Sequence, residues 1–137
     1  MGRKQAREGA MMVLFQMEST NDYSDEALEL FLSNFEYDNK ETSYIIDAVH
    51  AITDNLEEID NYIKPYLEGW NISRLAKVDL VALRIAIYEI LYRKDIPLEV
   101  SINEAIEIVK KFSSEDSFKF VNGVLGGFVR ALDKDYE

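Results

Sequence analysis

The sequence predicts an all-α fold, and three observations lead to this prediction. Apolar residues recur at intervals of three and four along the chain, and no segment shows the strict alternation of a half-buried strand. Residues 75–91 are apolar on nearly every side, as expected of a helix at the centre of a domain. The 137 residues include only 6 glycines and 2 prolines, too few for extended disorder. We therefore expect one compact domain spanning residues 1–137, with six or seven helices.

The first half of the chain shows three helical patterns. Apolar spacing predicts a first helix over residues 3–18, which ends before a polar stretch. Ser24 has the features of an N-cap for a short second helix, since two acidic residues follow it. A long amphipathic helix begins at about Glu41, with a break near residue 57, and Pro65 prevents it from continuing.

The central helix is predicted over Leu75–Leu91. Its polar residues form a thin stripe around Asp79, Arg84 and Glu89. A helix with so little polar surface is expected to be surrounded by the others.

Two further helices complete the predicted fold. Ser101 and Glu104 form a capping-box pattern that opens the first of them. The last helix begins near Ser114 and contains three glycines, each of which costs about 1 kcal/mol relative to alanine in a helix interior. We expect close backbone packing at Gly123 and a weakened or ending helix near Gly126.

The charge of the chain is unevenly distributed. The formal net charge is −11, and residues 18–68 hold fourteen acidic residues but only two lysines. The N-terminal segment and residues 69–94 are, by contrast, net positive. Either a basic protein docks against the acidic segment while cations elsewhere meet phosphates, or the acidic residues simply solvate exposed helix faces.

Residues suited to catalysis are scarce. His50 is the only histidine and cysteine is absent, so disulfides, thiolate chemistry and histidine/cysteine zinc sites are excluded. His50 lies among apolar neighbours and is expected to be a half-buried helical residue. We predict no metal site and no cofactor, and a soluble cytoplasmic protein, since neither a membrane span nor a signal peptide is evident.

Binding is the chemistry that the sequence does support. Arg3, Lys4 and Arg7 lie in the first two helical turns, where Arg3 and Arg7 share a face that can meet successive phosphates. Lys119 stands beside Phe120, which lies off the apolar stripe of its helix and can stack on a base. The alternatives are a merely solubilising N-terminus and a Phe120 that fills a neighbouring groove.

Several motifs together resemble one family. They include Arg3–Glu8 followed by Val13–Gln16, then Leu83–Glu89, Ile102–Ala105 and Phe120–Leu125, and they span nearly the whole chain. This combination resembles the NusB family of bacterial transcription antitermination factors. The resemblance implies an all-helical fold of two packed bundles without enzymatic activity. It also implies binding of boxA-type single-stranded RNA of ribosomal RNA leaders together with the ribosomal protein NusE, within an antitermination complex on RNA polymerase.

The resemblance also assigns roles to individual positions. The residues that match the RNA-contacting positions of the family are Arg3, Lys4, Arg7, Lys77, Asp116, Lys119 and Phe120. Phe15 and Asp79 resemble positions that face the ribosomal-protein partner. Apolar residues such as Phe15 and Met11 or Met12 are also compatible with a homodimer that covers them.

Two other functions are compatible with the residues. One is a relative of the helical RNA-recognition domain found in some RNA cytosine methyltransferases, which would require a strand-rich cofactor-binding domain that residues 1–137 do not provide. The other is a helical protein-interaction module without an RNA role. Alanine replacement of Arg3, Lys4 and Arg7 distinguishes the latter, since unchanged RNA binding with lost protein binding would favour it.

Overall fold

The structure is a computed structural model that describes residues 2–136, with side chains from Arg3 to Leu132. Within that range it contains seven α-helices, two short 3-10 turns and no strand. The helices are α1 (Gly2–Thr20), α2 (Asp25–Asn34), α3 (Asn39–Asp54), α4 (Leu56–Ile63), α5 (Lys77–Tyr92), α6 (Leu98–Phe112) and α7 (Glu115–Tyr136). The all-α prediction is therefore confirmed. None of the helices in the described part combines the length and hydropathy needed to cross a membrane.

The helices group into two compact units, residues 1–55 and residues 56–137. The first contains α1 to α3, and the second contains α4 to α7 with the 3-10 turns Lys64–Tyr66 and Ile72–Arg74. The proposal that residues 1–137 form a single domain stays a prediction.

In the first unit, α1 packs mainly on α3, and α2 contacts both. Gly9 allows this close approach, because a Cβ atom at that position would lie 2.7 Å from the Tyr37 hydroxyl oxygen and 2.8 Å from Ile45 Cδ1. Ser24 caps α2 as predicted, accepting a hydrogen bond from the Ala27 amide at 3.2 Å.

The long amphipathic helix predicted from Glu41 is in fact two helices. Its N-terminus is fixed by a capping box in which Asp38 and Glu41 each accept a hydrogen bond from the other's amide, at 2.8 and 2.9 Å. The break falls at Asn55, close to the predicted position, where the Asn55 side-chain amide donates to the Ala51 carbonyl at 2.8 Å.

In the second unit, α5 is the central helix, as predicted, with eleven consecutive buried residues from Asp79 to Glu89. The prediction of a thin polar stripe is wrong. Residues five apart on an α-helix differ by about 140° around its axis, so Asp79, Arg84 and Glu89 point to three different sides. Each side chain bonds to a different neighbouring helix.

All three bonds are short. Ser117 of α7 donates to Asp79 at 2.8 Å, and Ser101 of α6 donates to Glu89 at 2.8 Å. Arg84 donates two parallel hydrogen bonds of 2.8 Å to Asp60 of α4, the geometry in which a guanidinium binds a carboxylate most strongly. The bond to Asp60 pairs the buried charge of Arg84, and each serine supplies one hydrogen bond to a buried carboxylate.

The capping box predicted at Ser101 and Glu104 is wrong as well. Helix α6 begins at Leu98 directly after Pro97, whose fixed φ and missing N–H suit the start of a helix. Ser101 is therefore inside the helix and buried, and its hydroxyl is used to bond Glu89.

The roles predicted for the glycines of α7 are also wrong. Gly123 is exposed, and an added Cβ would meet no atom within 4 Å. Helix α7 continues past Gly126 to Tyr136. The closely packed position is Gly127, where a Cβ would lie 2.7 Å from Cδ1 of Tyr66. Glycine spacing in the sequence does not reveal which glycine faces a neighbour.

Two matched substitutions test this difference. Gly123→Ala is expected to raise the free energy of unfolding by about 0.5–1 kcal/mol, because alanine favours the helix and nothing obstructs its methyl group. Gly127→Ala makes the same gain in helix propensity but is expected to lower stability by about 1–3 kcal/mol, because the Tyr66 ring must move. Urea denaturation of both variants gives the measurement. Equal stabilisation by the two would contradict the packing described.

Candidate nucleic-acid interface

The segment between the first 3-10 turn and α5 holds Trp70 at the surface. The chain turns sharply at Glu68 and Gly69, which both have positive φ, 50° and 91°, and the Trp70 amide donates to the Leu67 carbonyl at 3.0 Å. Asn71 then accepts from the Ser73 amide at 2.9 Å and from its hydroxyl at 2.8 Å. These local bonds hold Trp70 with 60% of its surface exposed.

The start of α7 is organised by serines. Ser114 accepts from the Ser117 amide at 3.2 Å, an N-cap interaction. The Ser117 hydroxyl donates to Asp79 Oδ2, and it lies 2.8 Å from the Ser113 hydroxyl, which acts as the donor because the single hydrogen of Ser117 is already used. The first turn of α7 is thereby fixed to the first turn of α5.

These two elements enclose a pocket of about 370 Å³. Its volume lies within the roughly 300–1,000 Å³ typical of ligand sites. The rings of Trp70 and Phe120 meet edge to face across it, with centroids 6.4 Å apart. The lining residues are Trp70, Arg74, Leu75, Ala76, Asp79, Asp116, Ser117 and Phe120.

Asp79 is the buried polar residue of this pocket, with 6% of its surface exposed. Ser117 satisfies its Oδ2 atom, but its Oδ1 atom has no hydrogen-bond partner. Among the side chains from Arg3 to Leu132, no other buried nitrogen or oxygen atom lacks a hydrogen-bond partner. A buried acceptor without a donor costs about 1–3 kcal/mol.

One cation lines the pocket, and two others are next to lining residues in the sequence. Arg74 is exposed on its lining, Lys77 directly follows the lining residue Ala76, and Lys119 directly precedes Phe120. Asp116 also lines a second pocket, of about 510 Å³, with Lys119, Lys110, Glu115 and Phe118. The Lys110 ammonium lies 4.7 Å above the Phe118 ring. The arrangement combines aromatic faces with cations, as surfaces that bind single-stranded nucleic acid do.

The structure brings together residues that the sequence assigned to two partners. Asp116 and Phe120, expected to contact RNA, share the pocket with Asp79, expected to face a protein. Phe120 is partly exposed. The individual assignments of Lys77, Asp79, Asp116, Lys119 and Phe120 stay predictions.

The N-terminal cations belong to the first unit. Arg3 and Lys4 are exposed on α1, whereas Arg7 has only 4% of its surface exposed and interacts with other residues of the chain. Arg3 and Arg7 therefore do not form the exposed pair that their spacing suggested. The predicted RNA contacts of all three stay predictions.

Phe15 lies on the exposed side of α1, with 39% of its surface accessible. Met12, three residues earlier and hence beside it on the helix surface, is also exposed. Together they form a small apolar patch of the kind that often contacts another protein.

Trp70, Arg74 and Ser117 were not among the candidate residues of the sequence analysis. Trp70 is separated from Phe120 by fifty positions, so no local pattern indicates that they meet. The sequence does contain one weak indication: its single tryptophan directly follows Gly69, a residue type that favours turns.

The fold and this surface define a small all-α protein with a surface pocket lined by aromatic and charged side chains. The chain belongs to the NusB family, because the sequence profile of that family matches residues 4–130.

Individual relatives agree with this membership. The transcription antitermination protein NusB of Acetivibrio thermocellus is 43% identical over 130 residues, covering 95% of this chain and 90% of the relative. The solved structure of NusB from T. maritima is 42% identical, with a TM-score of 0.87 over 95% of this chain and 92% of that one. A third match is a crystal structure of the antitermination factors NusB and NusE in complex with double-stranded RNA, at 28% identity, a TM-score of 0.84, and coverage of 94% and 96%.

The bond between Ser117 and Asp79 can be tested by Ser117→Ala. Removing the hydroxyl takes away the hydrogen bond that the Asp79 carboxylate accepts from Ser117, so the free energy of unfolding is expected to fall by about 1–3 kcal/mol. Ser43→Ala, on an exposed face of α3, serves as the control and should change stability by less than about 0.5 kcal/mol. Equal effects of the two substitutions in chemical denaturation would contradict the anchoring role of Ser117.

Proposed function

We propose that this protein is a transcription antitermination factor that binds boxA RNA of ribosomal RNA leaders jointly with NusE, within an antitermination complex on RNA polymerase. The observation that carries the RNA-binding part is the surface of the second unit, where Trp70 and Phe120 lie among Arg74, Lys77 and Lys119. The names of its relatives, including one bound to NusE and RNA, support the rest.

The charge distribution is compatible with two partners of opposite charge. Backbone phosphates of RNA are attracted to the local cations of the second unit despite the net charge of −11. The acidic segment of residues 18–68 provides a surface of the sign that a basic ribosomal protein would favour. Exposed Phe15 and Met12 on α1 supply apolar contact area for that partner.

The proposal is tested by titrating labelled boxA RNA with the protein in the presence and absence of NusE. If the two bind jointly, NusE should tighten RNA binding by about 5- to 150-fold, the usual range of coupling between two sites. An RNA with the boxA sequence scrambled serves as the specificity control. Absence of any NusE effect on boxA affinity would contradict joint binding.

Lys119→Ala is expected to weaken RNA binding and to lower the slope of log affinity against log salt by about 1, because one phosphate contact is lost. Lys94→Ala removes an exposed cation from the same unit that does not line either pocket, and should leave the slope unchanged. Filter binding at four or five salt concentrations gives both slopes. Equal slopes for the two variants would show that Lys119 does not contact an RNA phosphate.

Phe15→Asp is expected to weaken NusE binding by about 2 kcal/mol, roughly 30-fold, because it places a charge in an apolar contact. Phe112→Asp makes the same change at a phenylalanine of nearly equal exposure on α6, 38% against 39%. Isothermal titration with purified NusE compares the two. If Phe112→Asp weakens binding as much as Phe15→Asp does, the partner surface is not centred on Phe15.

A further inference from the structure

We propose that a groove between α1 and α2 is a docking site for a basic amphipathic helix of a partner protein, separate from the surface around Phe15. This α1–α2 groove lies within the first unit, has a volume of about 310 Å³, and is lined by residues from the ranges 13–22 and 26–35. The inference goes beyond the proposed function, because it adds a second protein contact on another side of α1.

The first argument is the length of the α1–α2 groove. Its lining residues extend from Val13 to Thr20 on α1 and from Glu26 to Asn34 on α2. At a rise of 1.5 Å per residue, these stretches are about 10 and 12 Å long, which is about two turns of a helix. Apolar grooves of this kind bind amphipathic helices through side chains spaced at intervals of three and four residues.

The second argument is the apolar surface that the groove exposes. Leu30 has 63% of its surface exposed, more than any other large apolar side chain from Arg3 to Leu132, and Phe35 has 45% exposed. The Phe35 ring lies against Phe31, with centroids 4.6 Å apart, and both Phe31 and Met17 are buried. The buried side chains form a preformed base, so a partner that covers Leu30 and Phe35 gains apolar burial without reordering the groove.

The third argument is the charge of the groove, which determines the kind of partner. Residues 8–39 contain eight acidic residues and no lysine, arginine or histidine. Asp22 and Glu26 line the groove and are exposed, and the Ser24 amide donates to Asp22 at 3.0 Å. Carboxylates beside an apolar groove favour a helix whose apolar side is flanked by lysine or arginine.

The same charges disfavour other occupants. RNA phosphates and anionic lipid headgroups are repelled by a groove with acidic residues at its edge. A second copy of this chain carries a net charge of −11 and would be repelled on average as well. A basic segment of another protein is therefore the occupant that the groove favours.

The α1–α2 groove and Phe15 lie on different sides of α1. Successive residues of an α-helix are about 100° apart around its axis, so Val13, Gln16, Met17 and Thr20 fall within an arc of about 100°. Phe15 points about 150° away from the middle of that arc. A partner that contacts Phe15 therefore leaves the groove accessible, and the two sites are expected to bind independently.

The experiment titrates the full chain with a fluorescein-labelled peptide of about 15 residues, with leucine on one side of the helix and lysine elsewhere. One control peptide has glutamate in place of lysine, and another has the same composition with the leucines spread around the helix. Both controls are expected to bind at least about tenfold more weakly. In NMR spectra of the ¹⁵N-labelled protein, the largest shifts are expected at the amides of Leu30 and Phe35.

Substitutions at exposed positions test the apolar and the charged contacts separately. Leu30→Gln is expected to weaken peptide binding by about 5- to 30-fold, whereas Val100→Gln, at an exposed apolar residue of α6, should have no effect. Glu26→Gln is expected to weaken binding by about two- to fivefold. Glu29→Gln makes the same change of charge on α2 outside the groove lining, and should change affinity by less than about 1.5-fold.

The outcomes separate this inference from the proposed function. Equal binding of the three peptides, or equal effects of Leu30→Gln and Val100→Gln, would overturn the docking site. Displacement of the peptide by boxA RNA would make the groove a nucleic-acid surface, and displacement by saturating NusE would make it part of the NusE interface; either result overturns the inference. The joint binding of boxA RNA and NusE is measured without the peptide, so its failure would refute the proposed function alone.

Discussion

The second unit depends on one constraint, which is the burial of α5 on every side. A helix in that position has no solvent-facing side on which to place polar residues, yet α5 carries Asp79, Arg84 and Glu89. Their spacing of five directs each of them to a different neighbour, and each finds a partner there: Ser117, Asp60 and Ser101 respectively. Buried polar groups are tolerated only when paired, so these bonds specify which helix stands on which side of α5. Apolar packing alone would allow other arrangements of similar hydrophobic area.

The candidate interface follows from the same constraint. The bond that orders α7 against α5 is made at the beginning of both helices, where Ser117 reaches Asp79. It therefore sets the position of Phe120, less than one turn further along α7, relative to the segment that carries Trp70. Of the three polar residues, Asp79 is the one with a buried oxygen that accepts no hydrogen bond from the described side chains.

The sequence predicted the helices well because each helix is specified by its own apolar spacing. The central position of α5 was predictable for the same reason, since a helix apolar on all sides has no other place in the fold. Contacts between different helices could not be predicted from the sequence in the same way. Whether Gly123 or Gly127 faces Tyr66, and whether Ser101 caps a helix or bonds Glu89, depends on contacts between segments far apart in the chain. The spacing of Arg3 and Arg7 likewise indicated a shared face but gave no sign that Arg7 is buried.

The acidic character of the chain does not conflict with RNA binding, because affinity for phosphates depends on local potential and falls off beyond about 8–10 Å at physiological salt. Most of the excess acidity lies in residues 18–68, whereas Arg74 lines the pocket of the second unit, and Lys77 and Lys119 are exposed next to its lining residues in the sequence.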